Sequence, residues 1–333
     1  MSSTGSPEPS PEPSPAPEAL LPTTLPSVDR ASLAIGTTYT YHSPIPPRVA
    51  ASPTTPVILG VDEAGRGPVL GPMVYAIAYC LSTDAPLLSS HNFDDSKKLT
   101  PAFRASLMAT LTTRASPLHA AIGWATQALS AKDISAGMLR GTAYNLNAQA
   151  LDATVALIAG VLERGVNVAE VYVDTVGPPA AYQAKLQKRF PTVRVTVSKK
   201  ADSLYPIVSA ASVCAKVTRD EALEVLVGGE GAEAAGSGYP GDEKTKKWLR
   251  GEMDSVFGWR AEVVRFSWST ARDMLEGAPG GKKAGGSKGL GVEVEWPEDL
   301  EEGERGIAGF LGEGGAKGVK GWYGASVGVE MDF

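Results

Sequence analysis

The chain has 333 residues, of which 43% are apolar and 20% charged, close to globular averages, so one substantial core with unstructured extensions is the expected organisation. No apolar run is long enough to cross a bilayer and no basic segment followed by an apolar one opens the chain, which predicts a soluble intracellular protein with no membrane partner. Two cysteines, Cys80 and Cys214, lie in apolar runs, and with three scattered histidines they supply no zinc-type ligand set, so any metal must be held by carboxylates.

The net charge of −6 is uneven. Residues 1–33 carry −3 and residues 293–333 carry −7, which leaves +4 on the segment between them. Acidic ends around a basic middle suit a nucleic-acid enzyme better than the total suggests.

In chain order, residues 1–33 are dense in Pro, Ser and Glu without a sustained apolar period, and are expected to be a disordered extension. A domain over residues 34–276 follows. Val57 to Val61 is a short β-branched run predicting a buried strand, ending in Asp62-Glu63 and a glycine-rich turn, and Met73 to Leu81 predicts a hairpin partner. Ile122 to Ala125 reads as a third strand, Tyr144 to Leu162 as an amphipathic helix, and Val171 to Val173 as a strand ending at Asp174. A helix over Ala180 to Phe190 and a strand over Val193 to Val197 complete a β-α-β alternation. Pro206 stands where a helix begins, with Ile207, Ala210, Cys214 and Val217 on one face, and the portion from about residue 207 is predicted to be mostly helical. Residues 277–290 read as a flexible Gly/Lys linker, and residues 291–333 as an acidic tail whose apolar residues are too few for a core and suit docking on another chain.

Asp62, Glu63, Asp174 and Asp202 all fall at the ends of predicted elements, positions that converge on one edge of a sheet. Taken singly, each is equally well an ordinary cap or turn residue. Gathered, they repel one another unless a cation neutralises them, which points to a hard-cation site for Mg²⁺ or Mn²⁺. Two such ions, roughly 3.5–4 Å apart, suit phosphodiester hydrolysis with no protein nucleophile.

The turn Gly65-Arg66-Gly67 follows the acidic pair at once, and its glycines permit close backbone approach to a sugar hydroxyl or phosphate. Tyr239, within Gly236 to Pro240, is a candidate for stacking on substrate, or else an anchor for its own turn. The basic clusters Lys97-Lys98, Lys185 to Arg194, Lys199-Lys200, Lys216 to Arg219 and Lys244 to Arg250 have a groove that follows phosphates as their functional reading, but most of these residues are expected to be only solvated faces. Lys97, Lys199 and Lys200, nearest the acidic motifs, are the better candidates for phosphate contact.

The segments Val61 to Pro68, Asp95-Ser96-Lys97, Val173 to Gly177, Lys200 to Pro206 and Gly236 to Pro240 together resemble the ribonuclease HII family, in family order from about Val57 to Leu275. Phe266 to Ala271 leans towards the eukaryotic branch. The resemblance implies an α/β, ribonuclease H-like mixed sheet flanked by helices, with metal held by Asp62, Glu63, Asp174 and Asp202. It also implies that the Gly-Arg-Gly turn reads the ribose 2′-hydroxyl and that Tyr239 packs at the RNA–DNA junction. The implied activity is cleavage of RNA in RNA–DNA hybrids and 5′ to ribonucleotides embedded in DNA, leaving a 3′-hydroxyl and a 5′-phosphate. Nuclear work in removing ribonucleotides and primers, beside two non-catalytic partner subunits, follows from the same resemblance. The readings that compete with this are another nuclease on the same fold and a scaffold that binds hybrids without cutting.

Overall fold

Six strands form one mixed sheet in the spatial order β1-β4-β3-β2-β5-β6. They are β1 (Tyr39–His42), β2 (Val57–Ala64), β3 (Met73–Leu81), β4 (Gly123–Leu129), β5 (Val168–Asp174) and β6 (Arg194–Ser198). The computed structural model describes residues 25–93, 99–142, 144–175, 177–254 and 256–276. The principal helices are α1 (Arg30–Ala34), α2 (Pro101–Thr112), α3 (Ala131–Leu139), α4 (Leu146–Glu163), α5 (Pro179–Arg189), α6 (Ala201–Leu204), α7 (Pro206–Val227), α8 (Glu243–Gly251) and α9 (Ser269–Glu276).

The strands β1 to β4 pair antiparallel, and β5 and β6 add in parallel beside β2. All nine residues of β3 are buried, because helices cover the sheet on both faces. On one face Val57, Leu59 and Val61 join Ala153, Leu157 and Val161 of α4 in a core. On the other, Ala76, Ala78 and Cys80 join Ala210, Val213 and Cys214 of α7. α4 is long and apolar enough by composition to cross a membrane, yet its buried stripe identifies it as a core helix. Gly60 sets how closely α7 approaches the sheet: a Cβ there would stand 2.4 Å from the Ile207 carbonyl oxygen.

A third apolar cluster joins Val69 and Leu70 to Leu223, Leu249, Trp259 and Val264, tying the chain after β2 to the helical C-terminal portion. Val28 and Leu33 belong to it as well, which corrects the expectation that residues 1–33 are disordered throughout. Asp29 caps α1 through the amides of Ala31 and Ser32, and the Leu25 amide donates to Glu221 at 2.9 Å. A helix this short gives no periodic signal; its order comes from contact with α7. The rest of that extension, the predicted linker over 277–290 and the tail over 291–333 lie outside the described residues.

Candidate active site

Asp62 and Glu63 stand within β2 rather than after it, so the alternation of a strand sends them to opposite faces. Asp62, 6% exposed, lies on the α7 face, where the Ser212 hydroxyl donates to it and Lys216 Nζ in turn donates to Ser212 Oγ at 3.1 Å. Glu63 lies on the α4 face, lining a cavity of about 160 Å³ with Arg66, Tyr75, Asn147, Asp174 and Tyr182.

Asp174 ends β5, the parallel neighbour of β2, one residue beyond the pair Val61 and Val173. Carboxyl ends of adjacent parallel strands are where such sheets gather functional groups. Asp174 Oδ1 accepts from the Ala201 amide at 2.8 Å, which ties the first turn of α6 to the end of β5. Asp202, 5% exposed, is the next residue in that turn.

Burial above all pushes the Asp62 carboxyl up to about 7; the Ser212 hydroxyl opposes this and the Asp174 charge adds to it. Burial likewise raises Glu63 to about 8, with Asp62 and Asp174 adding and the cations of Arg66 and Lys216 opposing. Oxygen donors held together against their own repulsion fit a hard divalent cation by chemistry. As they stand, no three acidic, His or Cys side chains among the described residues close around a single point.

The Gly-Arg-Gly turn is held from behind. Arg265, fully buried, donates from Nε to the Gly71 carbonyl at 2.9 Å, from Nη1 to the Arg66 carbonyl at 3.1 Å and from Nη2 to the Gly65 carbonyl at 2.6 Å. Its guanidinium lies 4.8 Å from the ring centroid of Trp268, whose Nε1 donates to the Gly67 carbonyl at 3.0 Å. All three carbonyls of the turn are therefore engaged by the segment 265–268, which fixes the turn's backbone. Burial and the nearby Arg219 cation lower the Arg265 pKa to about 9. Gly65 has φ +77° and no room for a Cβ, which would lie 2.8 Å from the Pro72 carbonyl oxygen. The Arg66 side chain points the other way and donates to Asn147 Oδ1 at 2.5 Å.

The loop bearing Tyr239 is fastened to this turn. The Val69 amide donates to the Gly238 carbonyl at 2.8 Å, and Arg219 Nη2 reaches both the Leu70 and Ser237 carbonyls, at 3.4 and 3.3 Å. Tyr239, 49% exposed, rests on Gly67, where a Cβ would stand 3.1 Å from its Cε1. A groove of about 840 Å³ runs along Glu63, Gly65, Arg66, Gly67, Lys216, Tyr239 and Trp268.

Of the sequence candidates, Glu63, Asp174, Gly65, Arg66, Gly67 and Tyr239 thus line two cavities that share Glu63 and Arg66, whereas Asp62 lies on the α7 face of β2 and lines neither, and Asp202 is joined to Asp174 through Ala201. Lys199 and Lys200 are exposed in the turn before α6 and line neither cavity, and Lys97 lies outside the described residues. Sequence reasoning missed Ser212 and Arg265, and had Lys216 and Arg219 only as part of a basic cluster, not as partners of Ser212 and of the Leu70 and Ser237 carbonyls. The signal for Arg265 was a lone cation inside the apolar run Val263 to Phe266, and for Ser212 and Lys216 their i, i+4 spacing on one helix.

This sheet order, with acids at the ends of neighbouring parallel strands beside a basic and aromatic groove, defines an endoribonuclease of the ribonuclease H type. The chain belongs to the ribonuclease HII family, whose sequence model, described as Ribonuclease HII, matches residues 59–271. It is 52% identical to the A subunit of ribonuclease H2 from Neurospora crassa, covering 92% of this chain and 95% of that protein. To the human protein of the same name it is 44% identical over 82% of this chain and 87% of that one. Among solved structures it is similar to ribonuclease H2 from Pyrococcus horikoshii OT3, with TM-score 0.56 and 32% identity over 65% of this chain and 96% of that one. The protein is a hydrolase with ribonuclease H endonuclease activity on RNA–DNA, and the scaffold reading is set aside.

Proposed function

We propose that the enzyme cuts the RNA strand of RNA–DNA hybrids and also cuts 5′ to single ribonucleotides embedded in DNA, leaving a 3′-hydroxyl and a 5′-phosphate. The observation that supports this most is the Gly-Arg-Gly turn, immobilised by Arg265 and Trp268, directly after the acidic pair and under Tyr239. A rigid row of backbone amides suits a ribose 2′-hydroxyl, the one group that separates RNA from DNA at a given site. Tyr239 packs against the sugar or base beside it.

In this reading Asp62, Glu63, Asp174 and Asp202 hold Mg²⁺ or Mn²⁺. When bound, two such ions supply a nucleophilic water and neutralise charge on the leaving oxygen. Ser212 donates to Asp62 and favours its ionised form, and Lys216 orients that hydroxyl. Arg66, anchored on Asn147, offsets the charge of Glu63.

The names of the relatives support membership of a complex of several different chains, which we propose includes two non-catalytic partners docked on residues 291–333. Deleting that segment should abolish assembly and spare the catalytic fold, whereas a truncated chain that still co-purifies with both partners would refute the docking. Nuclear removal of misincorporated ribonucleotides and RNA primers during replication is the corresponding role.

A substrate panel tests the activity: a long hybrid, a DNA duplex with one internal ribonucleotide, and an all-DNA duplex, each with Mg²⁺. The first two should be cut, the second immediately 5′ to the ribonucleotide, and the third left whole. Cleavage of all-DNA duplex at a similar rate would overturn ribonucleotide recognition.

A further inference from the structure

Helix α8 begins just after Tyr239 and is bolted to the loop that presents it. Asp242 Oδ2 accepts from the Ser237 amide and hydroxyl at 2.8 and 2.7 Å, and the Asp242 amide donates to the Tyr239 carbonyl at 3.0 Å. Thr245, fully buried, takes the Gly238 amide at 3.0 Å and donates to the Ala235 carbonyl at 2.8 Å. Farther along, the Leu249 carbonyl accepts from Trp259 Nε1 at 2.7 Å. Helix and tyrosine loop therefore form one rigid unit at the rim of the groove.

The buried side of α8 is Thr245 and Leu249; the outer side carries Lys244, Lys246, Lys247 and Arg250. One acid, Glu243, shares that outer side and is taken by Lys246 at 2.7 Å. Lys244, Lys247 and Arg250 are exposed and make no close ion pair among the described residues; Asp242 attracts Lys244 and Glu243 attracts Arg250 at longer range, so three cations recur at three-residue steps with their charge only partly offset. Over six residues the stripe is ~9 Å long, about two to three base-pair steps of one strand. The charge that these two acids leave uncompensated is the charge a polyanion would neutralise.

We infer that the outer face of α8 is a phosphate rail: Lys244, Lys247 and Arg250 bind the sugar–phosphate backbone of duplex flanking the ribonucleotide held at Tyr239. This rests on the reading of the Tyr239 groove as the ribonucleotide site. The rail contacts phosphates alone, so it adds affinity and orientation without distinguishing RNA from DNA.

The test uses the full-length chain and its triple variant Lys244→Gln, Lys247→Gln, Arg250→Gln. Affinity for a labelled DNA duplex, with and without one ribonucleotide, is followed by anisotropy from ~50 to ~200 mM salt. The slope of log affinity against log salt should become shallower by about two to three, near one for each phosphate no longer neutralised, with roughly equal weakening for both duplexes. An unchanged slope overturns the rail and makes the stripe a solvated or protein-binding face. Weakening confined to the ribonucleotide-containing duplex also overturns it, because α8 then acts through Tyr239. A wild type that binds the two duplexes equally fails the ribonucleotide reading instead, while a lowered slope in the variant still supports phosphate binding by α8.

Discussion

Arg265 Nη2 donates to the Gly65 carbonyl at 2.6 Å across 200 positions of sequence, joining the C-terminal portion to the first residue after β2. The same guanidinium reaches the carbonyls of Arg66 and Gly71, so one fully buried cation fixes both ends of the loop between β2 and β3. Replacing it strands the buried Gly71 carbonyl and the half-buried carbonyls of Gly65 and Arg66. Arg265→Lys keeps the charge but loses the fork, and should destabilise the fold by about 2–4 kcal/mol while eroding discrimination between ribonucleotide and deoxynucleotide. Denaturant unfolding together with the two-duplex binding ratio checks this; an unchanged ratio would limit Arg265 to a structural role.

Gly67→Ala separates site geometry from stability. The new Cβ would stand 3.1 Å from Tyr239 Cε1, and Gly67 is exposed with no left-handed φ to strain. Melting temperature should stay within a degree or two, because surface changes of this kind cost about 0.5 kcal/mol or less. Cleavage of the single-ribonucleotide substrate should fall several-fold as the ring is displaced. Equal activity in the variant would detach Tyr239 from recognition.

Proton linkage gives a third expectation. Unfolded, the carboxyls of Asp62 and Glu63 ionise near about 4, whereas the folded chain holds their protons up to about 7 and about 8. Between those limits the folded state binds more protons, so stability without metal falls as pH rises through the window. The melting temperature of metal-free protein should drop by a few degrees from pH 5 to pH 9, Asp62→Asn should flatten the drop, and Mg²⁺ should stabilise most at the alkaline end. A flat profile in the wild type would contradict the crowded carboxylates.

Much of this was legible in the sequence because the signals were local. The runs Val57 to Val61 and Met73 to Leu81 became β2 and β3, and Pro206 opens α7 as its position predicts. β1 escaped notice because Tyr39 to His42 alternates weakly, and α1 because its order depends on Leu25 and Ser27 meeting α7. The acidic residues were found by type, but their faces were not: extending β2 to Ala64 divides Asp62 from Glu63 across the sheet. Arg219 and Arg265 bond to backbone carbonyls far off in sequence, and carbonyls carry no residue-specific signal.

The most direct measurement compares wild type and Asp174→Asn on a DNA duplex with one internal ribonucleotide in Mg²⁺, with binding measured in parallel. Asp174 touches both halves of the site, through its charge on Asp62 and Glu63 and its bond to Ala201. The carboxylate site predicts cutting 5′ to the ribonucleotide by wild type and a loss on the order of a hundredfold or more in the variant, with binding retained. Undiminished cleavage by Asp174→Asn would contradict it.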